Sequence, residues 1–523
     1  MPETILGGKV SPREYQLNLF EASKNENTLI VLPTGLGKTV IAAMLADYIL
    51  KATKGKVMFL APTKPLVSQH FETFKKLLDI SGKEITKFTG EVHDEDRSAL
   101  WVENRVIVST PQVAWNDIRN GLVDLGKFDL IIFDEAHRAT GNYAYVLIAK
   151  EFLESKGRLI LGLTASPGGD RDKLDEIKKN LGITQILARS ESDPDVSPYI
   201  GGIKTEIIKI KLPEKIIMLS GKLKYIRESL LDKIRGAGVS RSGKYNRSDL
   251  AKLIPMLVAR AKNGEKHLFT LIPLISAAIR LDYLIEYLES QGIEIARNYL
   301  DEIYKSDEAT LKRTRKILEK FPEFQEFLND IDSLTDSDAS NPKMKVVLRL
   351  CEDEIKANPE SRIIVFTHFR KTSELLTNYL RNNSPFLRPV RFIGQSARTN
   401  DAGLSQKDQE EIITKFRNNV YNVLVATSVA EEGLDIPSTD LVVFFEPVPS
   451  EIRTIQRRGR TGRLHAGRVK ILLYEGTRDI GYYYSSVRKE GRMRSNITSM
   501  KESFDDNKRT KREKNKNINL DDF

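Results

Sequence analysis

An apolar run, Leu29-Ile30-Val31-Leu32, leads directly into Pro33-Thr34-Gly35-Leu36-Gly37-Lys38-Thr39 and then into the apolar-rich segment Val40 to Leu50. Few folds accommodate this order of strand, glycine loop and helix. Backbone N–H groups at a helix N-terminus converge on an anion only where no Cβ intervenes, and Gly35 and Gly37 meet that condition. Lys38 is then placed to reach the β- and γ-phosphates of a nucleotide, and the Thr39 hydroxyl to ligate Mg²⁺. Leu32 stands where the strict pattern has glycine, so the loop by itself leaves a plain strand-to-helix turn open.

Four more short apolar runs follow, each closed by polar residues. Lys56 to Ala61 ends at Pro62-Thr63-Lys64, Val106 to Ser109 at Thr110-Pro111-Gln112, Asp129 to Phe133 at Asp134-Glu135-Ala136-His137, and Leu159 to Leu163 at Thr164-Ala165-Ser166. Such runs suit a parallel sheet covered on both faces, which binds its ligands beyond the carboxyl ends of the strands. An acidic pair closing a buried strand requires a cation: Asp134 suits Mg²⁺, directly or through water, and Glu135 suits orientation or deprotonation of an attacking water. His137 is expected to tie this loop to the region of Gln456. Gln16, upstream, can offer a donor and an acceptor to an adenine edge, the plainer alternative being a polar helix face.

Beyond Thr205 to Leu212, which alternates like a strand, Glu214 to about Ser333 shows helical periodicity broken at Gly264 and Gly292. It predicts an all-helical domain whose basic residues, Arg260, Lys262, Lys266 and Arg280 among them, either face solvent or touch nucleic acid. After the polar stretch 333–341 a second α/β unit is expected, with strands at Arg362 to Thr367, Val390 to Ile393, Asn422 to Ala426, Leu441 to Phe445 and Val469 to Tyr474. It has no glycine loop of its own but carries Gln456-Arg457-Arg458-Gly459-Arg460-Thr461-Gly462-Arg463. These arginines suit bidentate phosphate contact from a second lobe, and a basic surface loop is the alternative.

The composition excludes several other classes. The single cysteine, Cys351, rules out an internal disulfide framework, and no apolar run approaches the roughly 20 residues of a membrane span. A cytoplasmic location without membrane contact is therefore expected. Lys and Arg total 82 against 72 for Asp and Glu, a net +10 that suits a polyanionic partner or simply a solvated surface. The last twenty or so residues, charged and nearly devoid of apolar side chains, are expected to be disordered.

Read together, the motifs stand in the order of a superfamily 2 helicase. They are Gln16, PTGLGKT, APTKPLVSQH at 61–70, TPQ at 110–112, DEAH at 134–137, TAS at 164–166, VFTHFR at 365–370, VATSVAEEGLDI at 425–436 and QRRGRTGR at 456–463. With DEAHRATGNYAY, GLTASPG, FEPVPSEIR and the helical insertion, the chain resembles the archaeal Hef helicase, a relative of the Fanconi anaemia group M translocase. No signature of the XPF-type nuclease that often follows in such proteins is present. The resemblance implies an α/β fold of two RecA-like parallel-sheet domains, 1–204 and 341–490, a helical insertion with a connecting strand at 205–340, and a basic tail at 491–523.

It further implies an ATP- and Mg²⁺-dependent DNA motor, acting on forked or branched DNA in the 3′ to 5′ direction. Pro33, Thr34, Gly35, Leu36, Gly37, Lys38 and Thr39 would hold the phosphates, Gln16 the adenine and Asp435 the ribose, with Gly433 also at the nucleotide, and Thr39 and Asp134 the Mg²⁺. Glu135 would activate water, and Gln456, Arg460 and Arg463 would meet the γ-phosphate from the second lobe. Thr63, Lys64, Thr110, Thr367, His368 and Thr427 would lie along the nucleic-acid backbone. A double-stranded RNA translocase of the Dicer type and a non-catalytic nucleic-acid clamp stay open as alternatives. The extreme end, Asn517 to Phe523, resembles a degenerate form of the peptide by which replication proteins dock on the sliding clamp.

Overall fold

Strands too apolar to face water must be covered on both sides, and this chain forms two sheets of such strands. The structure, a computed structural model, describes residues 5–90, 94–155, 158–166, 168, 171–190, 193–199, 203–238, 245–334, 341–396, 401–430, 436–448, 467–493 and 495. The first sheet contains β1 (Thr28–Val31), β2 (Lys56–Leu60), β3 (Ile85–Phe88), β4 (Val106–Ser109), β5 (Phe128–Asp134), β6 (Leu159–Thr164) and β7 (Gln185–Ala188). They are parallel and lie side by side in the order β3-β4-β2-β5-β6-β1-β7.

Alternate side chains of these strands enter two cores. Ile30, Phe59, Ile132 and Leu161 face helices Lys38–Ala52 and Lys64–Leu77 through Ile41, Leu45, Val67 and Phe74. Leu29, Met58, Ile131 and Ile160 face helix Ala144–Glu154 through Tyr145, Ile148 and Phe152. The two strands that the apolar runs did not reveal, β3 and β7, are the sheet edges, where a Thr-Lys pair or a glutamine is tolerated and the apolar signal is diluted.

The second sheet contains β8 (Ile203–Ile210), β9 (Ile363–Phe366), β10 (Pro389–Phe392), β11 (Val423–Ala426), β12 (Leu441–Phe444) and β13 (Gly467–Tyr474), in the order β10-β11-β9-β12-β13-β8. The chain is therefore α/β with two parallel-sheet lobes. Strand β8, grouped from the sequence with the helical insertion, pairs along its whole length with β13 and closes the edge of the second sheet.

Between the lobes, helices Glu214–Gly236, Arg247–Lys262, Leu271–Glu286, Ile293–Lys305, Ala309–Leu318 and Pro322–Ser333 surround a core of their own, including Leu223, Leu230, Ile275, Leu281, Leu284, Phe324 and Phe327. The breaks fall at Gly264 (φ 118°) and Gly292 (φ 103°), values that side-chain-bearing residues avoid. The stretch Lys266–Gln291 is long and apolar enough to cross a membrane, which corrects the expectation that no run approaches that length. Its apolar side chains, among them Ile275, Ala278, Leu281, Leu284 and Leu288, are packed inside this helical core.

The insertion is joined to the second lobe by buried polar groups. Lys343 pairs with Asp479 at 2.6 Å, and neither side chain is more than 2% exposed. Ser290 Oγ donates to the same carboxylate at 3.2 Å, Asn341 Nδ2 to the Gln291 carbonyl at 2.8 Å, Thr372 Oγ1 to Gln291 Oε1 at 2.7 Å, and the Tyr474 hydroxyl to Asn341 Oδ1 at 2.7 Å.

Candidate active site

Three neighbouring strand ends build the site. In the order β5-β6-β1, the acidic pair leaves β5, Thr164 closes β6 opposite Val31, and the glycine loop leaves β1. Gly35 (φ 85°) and Gly37 (φ 78°) take the left-handed backbone, and Gly37 caps helix Lys38–Ala52 with no side chain over its first N–H groups. Lys38 Nζ donates to the Leu32 carbonyl at 2.9 Å, folding over the loop. A Cβ on Gly37 would stand 2.3 Å from Gln16 Nε2, so the glycine admits close approach as well as the turn.

Gln16 is buried and bound to the loop itself. Its Nε2 donates to the Leu36 carbonyl at 3.1 Å and its Oε1 accepts the Arg13 N–H at 2.9 Å, while the Tyr15 hydroxyl donates to Leu36 at 2.8 Å. The polar-face reading of Gln16 therefore gives way to an inward-facing side chain that braces Leu36. Reading an adenine edge requires this amide to exchange one of its two bonds.

Asp134 is held on two sides. The Tyr145 hydroxyl lies 2.7 Å from the Asp134 backbone carbonyl and 3.0 Å from that of Leu60 and shares its one proton between them, tying the ends of β5 and β2. Burial, and next to it the Asp134 charge, pushes the Tyr145 hydroxyl well above its ordinary pKa, so it remains a donor. On the carboxylate, His70 Nε2 lies 2.9 Å from Oδ2, the histidine 4% and the aspartate 6% exposed. The histidine ring is also packed on Phe59 with centroids 4.4 Å apart.

Glu135 adopts φ 49° and ψ 50°, a left-handed conformation that costs a non-glycine residue about 1–2 kcal/mol. Its Oε2 is buried without a hydrogen-bond partner; His137 Nδ1 stands 3.2 Å away, outside hydrogen-bond alignment. The same His137 nitrogen lies 3.2 Å from Thr164 Oγ1, and Thr164 in turn binds the Ser166 backbone. The described partners of His137 are thus the neighbouring motif and Glu135, and Gln456 lies outside the described residues. Ser166 Oγ reaches Met493 Sδ at 2.7 Å, a contact from the first lobe to the last described helix, 478–493.

The residues present fit a magnesium nucleotide. The Thr39 hydroxyl and the Asp134 carboxylate are hard oxygen donors of the type Mg²⁺ takes, and the buried Glu135 oxygen with no bonded partner is the acceptor a water can use. Gly433, Asp435, Gln456, Arg460 and Arg463 lie outside the described residues.

The nucleic-acid set divides by exposure. Thr63 caps helix Lys64–Leu77 by accepting the Leu66 N–H at 3.5 Å, and exposed His368 donates its backbone N–H to the Glu446 carboxylate. Thr367 is fully buried with its hydroxyl on the Phe369 carbonyl at 3.3 Å, so it shapes this loop instead of facing a phosphate. Thr110 and Thr427 are largely buried at 7% and 6% exposure. Of the basic residues expected on the insertion, Arg260 is paired with Glu265 and Arg280 donates to the Tyr299 hydroxyl at 3.4 Å, which leaves Lys262 and Lys266 as the exposed cations of that set.

His70 was not singled out from the sequence. The one signal was position: it lies seven residues beyond Thr63, two helical turns along the same face, and that face packs on the sheet.

Residues 9–169 match the model for the type III restriction enzyme res subunit, and residues 342–465 that for the helicase conserved C-terminal domain. The crystal structure of the Pyrococcus furiosus Hef helicase domain matches with a TM-score of 0.70 at 40% identity, covering 91% of this chain and 98% of that one. The chain belongs to the Hef family of superfamily 2 helicases. Among curated relatives of this Hef-family chain, the putative ATP-dependent RNA helicase MJ1505 of Methanocaldococcus jannaschii is 39% identical over 93% of this chain and 61% of its own length. The DEAD-box ATP-dependent RNA helicase FANCM of Arabidopsis thaliana is 35% identical over 91% of this chain and 36% of its own. The ATP-dependent DNA helicase fml1 of Schizosaccharomyces pombe is 32% identical over 89% of this chain and 57% of its own. The chain thus spans between about a third and three fifths of the length of these relatives.

Proposed function

We propose that the chain hydrolyses ATP to drive movement along DNA, unwinding forked or branched molecules in replication-fork repair with 3′ to 5′ polarity. The observation that carries this reading is the convergence of Lys38, Asp134 and Glu135 on the ends of β1 and β5, either side of β6. Lys38 and the loop N–H groups bind the β- and γ-phosphates, and Thr39 and Asp134 hold Mg²⁺. When bound, Mg²⁺ neutralises charge that develops on the phosphoryl oxygens. Glu135 accepts a proton from, or orients, the attacking water, and the Glu135 oxygen without a hydrogen-bond partner suits that task. Asp435 serves the ribose, Gly433 lies at the nucleotide, and Gln456, Arg460 and Arg463 approach the γ-phosphate from the second lobe.

Thr63, Lys64, Thr110, His368 and Thr427 border the nucleic-acid track, which suits contact with the phosphate backbone and indifference to sequence. Nucleotide-dependent closure of the lobes alternately tightens and loosens that grip. The chain would work at the chromosome in the cytoplasm, with its terminal peptide as a tether to the sliding clamp.

A second reading, an RNA motor, is favoured by the RNA-helicase names that two of the relatives carry. ATPase titrations against single-stranded, duplex, forked and four-way DNA, with RNA counterparts, decide between them. Forked or branched DNA is expected to stimulate turnover most. Stimulation by duplex RNA alone would select the RNA motor, and nucleic-acid binding without turnover would leave a clamp.

A further inference from the structure

Helix Lys64–Leu77 runs from the nucleic-acid track to the metal site. Thr63 caps its N-terminus, and seven residues on, about 10 Å along the axis, His70 holds the Asp134 carboxylate. Both ends of this connection are fixed. The ring has little rotational freedom of its own and moves with its helix, because it is stacked between that helix and Phe59 with centroids 4.4 Å apart, while Phe74 packs edge-on to the same Phe59 at 5.1 Å. The Asp134 backbone cannot follow the ring, since the Tyr145 hydroxyl ties its carbonyl to that of Leu60. A shift of the helix relative to the sheet therefore bears on the hydrogen bond between the His70 ring and the carboxylate.

His70 Nε2–H is the donor in this assignment, because Oδ2 of Asp134 is the acceptor beside it; the other ring nitrogen, Nδ1, is buried without a partner. The bond occupies one carboxylate oxygen and leaves Oδ1 for the metal or its water. Groups that orient a metal-holding carboxylate in this way are worth about 10–100-fold in metal affinity or activity.

Building on the nucleic-acid-stimulated motor proposed above, we infer that His70 is the positioning residue through which nucleic acid bound at Thr63 and Lys64 sets the Asp134 carboxylate. Nucleic acid grips the N-terminus of the helix, the helix moves as a rigid element, and the His70–Asp134 bond passes that movement to the metal ligand. No bond is made or broken by His70 during hydrolysis. What it transmits is the orientation of Oδ1.

The test uses the full chain with His70→Ala, His70→Phe and His70→Gln. The phenylalanine keeps the ring stacked on Phe59 without the donor, and the glutamine restores an N–H donor. Three quantities are read: the ratio of nucleic-acid-stimulated to basal ATPase, equilibrium affinity for the same DNA, and the Mg²⁺ concentration that half-saturates binding of a fluorescent ADP analogue in the absence of turnover. Removing the donor is expected to lower the stimulation ratio about tenfold and raise half-saturating Mg²⁺ about tenfold, with DNA affinity within about twofold and His70→Gln recovering most of both.

If His70→Phe folds and stimulation is undiminished, or if basal and stimulated rates fall by the same factor, the link is overturned. Should His70→Ala lose its fold, the phenylalanine and glutamine pair carries the comparison. A native chain that no nucleic acid stimulates overturns the functional reading as well, and that control separates the two failures.

Discussion

Lys343→Met would remove the ammonium group paired with Asp479 at 2.6 Å, at a point where the lysine side chain is wholly buried and the aspartate nearly so. The carboxylate would keep the Ser290 hydroxyl at 3.2 Å and the Tyr474 N–H at 3.1 Å. The lysine would also no longer lie over the Tyr474 ring, 4.5 Å from its centroid. Breaking a buried ion pair by deleting one partner costs about 3–5 kcal/mol, and the two surviving hydrogen bonds place this case near about 3 kcal/mol. The loss falls beside the joint, because Lys343, in helix Pro342–Ala357, and Asp479 both belong to the second lobe, while Ser290 of the insertion donates to the same carboxylate. Native-state hydrogen exchange is the suitable assay, since a chain of several domains does not unfold in one step. Amides of helix Leu271–Glu286 should exchange about 100-fold faster, the equivalent of about 3 kcal/mol at about 1.4 kcal/mol per decade. Lys343→Met combined with Asp479→Leu removes both charges and should recover at least half of that loss. Exchange within about fivefold of the native chain in the single variant, or no recovery in the double variant, would refute the role of this pair in supporting the joint.

Further outcomes concern the chemistry and the appended parts. Glu135→Gln keeps shape but loses the proton acceptor, so nucleotide binding should persist while turnover drops about 10²-fold or more; near-normal turnover removes Glu135 from that role. Arg460→Ala should leave ATP affinity largely intact and lower kcat about 10³-fold, whereas a defect confined to DNA binding makes it a DNA contact. Deleting the insertion should spare single-strand-stimulated ATPase and weaken preference for forks, and equal loss on every substrate gives the insertion a structural role only. The cut belongs at Glu214 and Ser333, the outer ends of helices Glu214–Gly236 and Pro322–Ser333, so that no helix is divided. Leu520→Ala with Phe523→Ala should abolish clamp binding without changing ATPase, and a peptide of the last twelve residues with no affinity for the cognate clamp near about 100 μM, or about −5.5 kcal/mol, would make the tail inert.

The parts of this architecture that could be read in the sequence are those where a single physical demand dominates. Strands β1, β2, β4, β5 and β6 are buried almost throughout, so their apolar runs have no competing explanation. The glycines at 264 and 292 mark helix breaks because their backbones are left-handed. Legibility fails where a residue's task depends on a distant partner. Nothing near His70 in sequence announces Asp134, 64 residues away, and nothing near Gln16 shows that its amide is taken by Leu36 and Arg13. Thr367 reads as a phosphate contact by its place in a motif, yet its hydroxyl turns inward to a carbonyl two residues on. Strand β8 alternates as an isolated strand should, and only the register with β13 assigns it to the second sheet.

Glu135 is where the fold departs most from what local preference favours. A left-handed glutamate and a buried carboxylate oxygen without a hydrogen-bond partner are each unfavourable, by about 1–2 and about 1–3 kcal/mol. A chain indifferent to function would relieve both with a glycine at 135. The surroundings instead hold the conformation in place: Arg138 N–H bonds the Glu135 carbonyl at 3.0 Å, Tyr145 fixes the preceding carbonyl, and His70 fixes the preceding side chain. Strain that neighbouring groups maintain marks a side chain kept in a geometry useful to something other than stability. The sharp turn after Asp134 separates the two carboxylates, which suits the different tasks proposed for them, one holding a metal and the other accepting a proton.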